Sequence, residues 1–249
     1  MAEAGGPNVR LQPRGLIRVL LGALVSFAVT PAVSQTPQFE EFHTWTDIAT
    51  IKNFSDRFRY DGDYGIRGFL TDDDWTLVYL RPSVRYRAKP WLTLHGGAAL
   101  FYNFFSGEDL PEIRPFIGAR FANRLDSGWT ISNYLRLEYR AFHFKNPSEW
   151  EAAFRGRWQI QAVTPRFAIG SAREFYGIGS VEPFFDFGDD NEGTFGDRYR
   201  INFGLGRQFG DRLRTELNYL FHQIRVPEEG GALDLDDHVV RLRFFYTFD

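Results

Sequence analysis

Residues Asn133 to Phe144, N-Y-L-R-L-E-Y-R-A-F-H-F, sort into two kinds with a period of two. Tyr134, Arg136, Glu138 and Arg140 fall on one face, and Leu135, Leu137, Tyr139 and Ala141 on the other. Successive side chains of a β-strand point to opposite sides, so this stretch builds a strand with one charged and one apolar face. One such strand constrains little, because a soluble sheet can hide the leucines and wet the arginines. Repetition constrains much more. Arginine alternating with apolar residues recurs from about residue 57 to the C-terminus, each copy ending at Gly, Pro, Asp or Asn. A closed sheet with lipid outside and a wet, charged interior accommodates such a series. The chain is therefore expected to be all-β, an antiparallel transmembrane β-barrel.

Taken in order, the first candidate strand is Glu41 to Ile51, weakly alternating, with Trp45 and Asp47. Arg57 to Phe69 sets Arg57, Arg59, Asp61, Asp63 and Arg67 against Phe58, Tyr60, Tyr64 and Ile66. Trp75 to Arg87 places Arg81, Arg85 and Arg87 inward, and Trp91 to Phe104 follows with Leu92, Leu94, Ala98, Leu100 and Tyr102 outward. Glu112 to Arg124 turns Glu112, Arg114 and Arg120 inward, and Trp150 to Val163 does so with Glu151, Arg155 and Arg157. Thr164 to Arg173 reads as a turn region before a strand near Glu174 to Phe187 that places Glu182 inside. The remaining passes contribute Arg198 and Arg200, then Arg214 and Glu216, then Arg241 and Arg243 to the same inner surface. About eleven segments emerge. Single-chain bacterial barrels normally have an even number, so about twelve strands are expected, with ten as the alternative.

Connections alternate in length: tight turns at 88–90, 126–128 and 210–211, longer polar loops at 105–111, 188–197 and 226–236. Short periplasmic turns and longer external loops produce that rhythm. Trp75, Trp91, Trp129 and Trp150 begin strands, where an aromatic belt at a membrane boundary would lie.

Composition fits the same picture. Aromatics make up 17% of the residues, yet mean hydropathy is −0.33, as expected when only every second residue meets lipid. Lysine occurs only as Lys52, Lys89 and Lys145, and every other cation is arginine. Guanidinium keeps its charge and forms directed hydrogen bonds, which suits fixed interior ladders. The net charge of −3 gives no reason to expect nucleic-acid binding, and zero Cys excludes a disulfide framework or a thiolate metal site. Met1 to Ser34 reads as a secretory signal peptide, with Arg10, Arg14 and Arg18, an apolar run from Val19 to Val29, and Ala32-Val33-Ser34 before Gln35. The barrel would then occupy 35–249.

Four strings, taken in order, carry a family likeness: Glu112-Ile113-Arg114-Pro115, Arg136-Leu137-Glu138-Tyr139-Arg140, Glu182-Pro183-Phe184-Phe185, and Arg198 to Asn202 followed by Gly204-Leu205-Gly206. Together they resemble an uncharacterised, domain-of-unknown-function family of Gram-negative outer-membrane β-barrels, over about residue 40 to the end. The resemblance implies a fold and an outer-membrane location and brings no catalytic residues. It also implies outer-membrane lipid, lipopolysaccharide and the barrel-insertion machinery as partners.

On the inner face arginines outnumber carboxylates roughly two to one. The leading reading is a narrow, porin-like channel for small anions or acidic oligosaccharides, since fixed positive rings select negative permeants. The alternative is a non-conducting barrel filled by Arg–Glu ladders. A lipid hydrolase or acyltransferase would need a nucleophile beside a base. His43, His95, His143, His222 and His238 with Ser83, Ser132 and Ser180 show no motif of that kind, so no enzyme and no cofactor is expected. Acidic loop residues such as Asp72-Asp73-Asp74 and Asp189-Asp190 lack the ligand spacing of a calcium loop, and a solvated rim with no metal is expected.

Overall fold

The computed structural model describes residues 41–69, 75–105, 109–145, 148–187, 198–225 and 233–249. The signal segment and the loops around 72–74, 189–190 and 228–229 lie outside the described residues. Twelve strands follow one another: β1 (Glu41–Asn53), β2 (Phe58–Phe69), β3 (Trp75–Lys89), β4 (Leu92–Phe105), β5 (Leu110–Arg124), β6 (Thr130–Phe144), β7 (Glu149–Val163), β8 (Phe167–Ile169), β9 (Ala172–Phe187), β10 (Arg198–Phe209), β11 (Leu213–Arg225) and β12 (Leu233–Phe248). Eleven of them close a barrel, each paired with its neighbours, and β8 stands outside the wall.

Neither twelve nor ten strands make the wall, and sheet topology supplies the reason. Every hairpin reverses the chain, so after an odd number of strands the last runs in the same direction as the first. The closing pair is accordingly parallel, β1 on β12, from Glu41 opposite Asp237 to Lys52 opposite Phe248, while every other pair is antiparallel. No extra wall strand hides in 164–175. There β8 pairs only with β9, Phe167 opposite Phe175 and Ile169 opposite Ala172. After β7 leaves off, Pro165, which has no N–H to give a ladder, interrupts the edge, and β8 resumes on the same side of β9. The stretch is thus the overhanging tip of the β7–β9 hairpin, where Arg166 pairs with Glu174.

The turns at 54–57, 90–91, 125–129 and 210–212 all lie at one end of the cylinder, here called the turn end. Gly128 (φ 85°) and Gly210 (φ 59°) take the left-handed backbone that these tight reversals need. Both β1 and β12 start from the opposite, loop end. Side chains obey the period of two around the wall. Outward rows are apolar at mid-height, with Ile117 66%, Phe203 64% and Leu217 56% exposed. Lys52, Lys89 and Arg207, cations on those rows, sit at the turn end. Aromatic pairs mark both ends: Phe58–Tyr86 (4.8 Å) and Tyr246–Phe248 (4.9 Å) at the turn end, His143–Trp150 (4.9 Å) and Phe42–His238 (5.0 Å) at the loop end. Trp91, Trp129 and Trp150 are exposed in these zones, as expected. Trp75 is not. Its indole N–H bonds Asn103 Oδ1 at 3.2 Å inside the barrel and its ring packs on the Leu77, Tyr79, Ala99 and Phe101 cluster.

Candidate functional site

The inner rows surround a cavity of about 1020 Å³ that runs from His43 and Phe142 near the loop end to Ile51 and Val163 near the turn end. Among the described residues, fifteen arginines line it. Arg59, Arg81, Arg85, Arg114, Arg120, Arg136, Arg140, Arg155, Arg157, Arg198, Arg200, Arg214, Arg241 and Arg243 are there, as the alternation predicts, and Arg67 joins them. Five carboxylates share the lining: Asp61, Asp63, Glu112, Glu182 and Glu216. Two more, Asp47 and Glu138, lie behind the guanidinium groups, 0% and 1% exposed. Arginine therefore exceeds acid by about two to one inside the barrel, as the sequence indicates.

Register decides which charges meet. Glu138 accepts from Arg155 at 2.9 and 2.6 Å and from Arg157 at 3.1 Å, and Arg136 Nε lies 2.9 Å away. Arg157 reaches on to Glu182 at 2.7 Å, with Arg200 at 3.5 Å. Glu112 is clasped by Arg114 and Arg140, both at 2.7 Å through Nε. On the other side Asp47 takes Arg241 and the Tyr79 hydroxyl (2.5 Å), while Asp63 takes Arg81 and the same hydroxyl (3.1 Å). Arg243 joins Asp47 to Glu216, 3.6 Å from each, and Tyr176 donates to Glu216 at 2.9 Å. Buried carboxylates are tolerated when several guanidinium donors hold them, and each of these has at least two except Asp63, which Arg81 shares with the Tyr79 hydroxyl.

Aromatic faces carry part of the excess charge. Arg67 lies 4.0 Å from the Trp45 ring centre and 4.8 Å from that of Tyr79, and Arg155, Arg157 and Arg200 surround Phe184 at 4.7 to 5.3 Å. The ring quadrupole attracts a cation over its face and fixes the plane of the guanidinium. Tyr176 itself is seated by a missing side chain: a Cβ on Gly206, directly opposite, would stand 2.2 Å from the phenol ring.

Two expected lining residues sit elsewhere. Glu151 shares the inward parity but is exposed near the loop end and does not line the cavity, although Phe142 opposite it does. Arg57 precedes β2 and lines only the turn-end mouth, a second space of about 540 Å³ that shares Arg59, Arg85, His95 and Arg120 with the main cavity. Asp47 and Arg67 are central to the site, and the weak alternation of β1 concealed the first. Its inner row reads His43, Trp45, Asp47, Ala49, a mixture of aromatic, acid and small residue with no charge rhythm.

Among the histidines and serines, the fold brings Ser83 and His95 together at 3.0 Å, with the Tyr134 hydroxyl 2.7 Å from the other ring nitrogen. Ser83 also donates to the Asp61 carbonyl at 2.8 Å. With its proton so engaged, the hydroxyl receives the imidazole N–H. The arginines of the same rows, Arg85 and Arg136, would oppose the imidazolium that a general base must become. Ser132 accepts from Arg120 at 3.0 Å, and His143 lies outside, its ring tilted at 55° to that of Trp150.

No curated protein and no solved structure matches the chain. A family model does match, over residues 42–230, which takes in the wall from the start of β1 through β11 and with it most of the charged inner surface. The chain thus belongs to the family described as Protein of unknown function (DUF2490).

Proposed function

We propose that the protein is an outer-membrane β-barrel whose lumen is a narrow conduit for small anions. The observation that carries this reading is the charge of the inner wall: among the described residues, fifteen guanidinium groups face seven carboxylates. Eight arginines therefore need water, an aromatic face or a mobile anion, and fixed positive rings in a confined aqueous space favour negative permeants. A cavity of about 1020 Å³ leaves room for a small solute between the two ends.

The membrane part of the reading rests on the outside. A monomeric soluble protein rarely leaves a contiguous apolar surface wider than a few hundred Å². Here Ile, Val, Leu and Phe face outward around the wall, bounded by aromatic zones at both ends. That arrangement matches what acyl chains and the headgroup boundary require. Insertion would involve outer-membrane lipid, lipopolysaccharide and the barrel-insertion machinery. Export would depend on the segment before Gln35.

The test is single-channel recording of purified protein in a planar bilayer under a KCl gradient, with a reversal potential of the sign for chloride over potassium. Folded protein that inserts and carries no current would reject the conduit in favour of a barrel filled by its own ion pairs. Extraction from cell envelopes only by detergent, with heat-modifiable gel mobility, tests the location separately.

A further inference from the structure

The turn-end mouth has a composition unlike the rest of the lumen. Cross-strand register groups its side chains into two successive rows. In the outer row, Arg87 donates its backbone N–H to the Arg57 carbonyl at 2.8 Å, Thr93 stands opposite Arg87, and Arg120 stands opposite Thr93. The inner row places Arg59 directly opposite Arg85, with His95 next. Neither row contains a carboxylate. Along the paired rows an acid first appears in the third, where Asp61 faces Ser83.

Like charges directly opposite on neighbouring strands destabilise a sheet, and here two rungs in succession set arginine against arginine. Asp61 answers the inner rung, lying 2.9 Å from Arg59 and 2.8 Å from Arg85. Nothing equivalent serves the outer one. Among the described residues, Arg57, Arg87 and Arg120 have no carboxylate within ion-pair distance; Arg120 donates to Ser132 at 3.0 Å and lies 4.7 Å from the Tyr134 ring centre. Among the described residues, Asp56 is the one acid lining this space of about 540 Å³.

We infer that the turn-end vestibule is a binding site for a phosphate-bearing anion. The class follows from the donors. Guanidinium forks bind multi-oxygen anions in bidentate fashion, and a dianion matches three arginines with a single acid nearby better than a halide does. Thr93, between Arg87 and Arg120, adds a hydroxyl to the same row. The inference deepens the conduit reading by naming the anion that one mouth selects, while the site itself depends only on the folded barrel.

The experiment is isothermal titration of the full chain, folded in dodecyl maltoside without phosphate, with inorganic phosphate. One saturable site is expected. Arg57→Gln with Arg87→Gln should weaken it at least tenfold. Arg166→Gln with Arg212→Gln, at the same end but outside the vestibule, should leave it unchanged. Gel mobility before and after heating checks that each variant folds, and the single Arg87→Gln substitution carries the comparison if the pair does not. No saturable uptake by the parent, or equal loss in both pairs, overturns the site. Competition by dihexanoyl phosphatidic acid identifies the source. Displacement at a tenfold lower concentration than phosphate assigns a lipid headgroup, and weaker displacement a soluble anion, both within the proposed chemistry. Phosphate uptake without conductance would remove the conduit and keep the vestibule. Conductance without uptake would do the reverse.

Discussion

Glu138→Gln removes one negative charge from a carboxylate that engages three arginines, and its cost follows from what each arginine has left. Arg157 retains Glu182 at 2.7 Å. Arg136 and Arg155 have no second carboxylate within ion-pair distance among the described residues, so both become uncompensated. Stranding a buried charge by removing its partner costs roughly 3–5 kcal/mol. Both guanidinium groups border the cavity, where water can partly resolvate them, which places the expected loss at the lower end, about 3 kcal/mol. That is on the order of a hundredfold in the ratio of folded to unfolded protein. Urea unfolding in lipid vesicles, followed by tryptophan fluorescence, measures it. Glu151→Gln is the internal control: exposed and off the cavity, it should shift stability by no more than about 0.5 kcal/mol. A Glu138→Gln barrel within about 1 kcal/mol of the parent would refute the reasoning, because the charges would then be holding solvent rather than the wall.

Gly206→Ala drives a Cβ to 2.2 Å from the Tyr176 ring and should cost about 1–3 kcal/mol, as overpacking does. Adding Tyr176→Ala should make the Gly206→Ala step nearly neutral, and an unchanged penalty in that double-mutant cycle would disprove the steric account. At the loop end, the hydrogen bond from Lys145 Nζ (3.1 Å), followed by that from the Tyr102 hydroxyl (2.9 Å), holds the Asp109 carboxyl below the usual carboxylate range. A group depressed on folding contributes stability above its unfolded pKa and loses it as pH falls through its folded one, so this contact should persist at neutral pH and open in acid. Carboxyl chemical shifts should show Asp109 titrating upward in Lys145→Met, and no change would sever the link.

How much was legible depended on how purely each strand alternates. Asn133 to Phe144 gave its inner and outer faces correctly because Arg and Glu occupy one row and Leu the other. β1 gave little, since Trp45 and Asp47 are as buried as His43 beside them and no charge rhythm marks the row. Glu151 has the right parity yet stays exposed off the cavity, because alternation assigns a side and says nothing about how far a side chain reaches into the lumen. Trp75 differs for a related reason: it begins a strand as Trp129 and Trp150 do near theirs but falls on the inner row, where Asn103 awaits its N–H. Strand number was miscounted by trusting an even total over the eleven segments visible in the chain. Which guanidinium meets which carboxylate was beyond reach. Arg157 finds Glu138 and Glu182 through pairings between three strands, and those registers are set by the closed cylinder as a whole.

The parallel seam has a consequence for how the molecule comes together. Arg241 and Asp47, joined across it, are 194 residues apart in the chain, and no turn can bring parallel neighbours into register. The clasp between first and last strand closes a ring whose other members are joined to their chain neighbours. Until then Asp47 faces its missing counter-charge across an open edge, and the protein carries at that edge an ionic latch that fastens when the circle is complete.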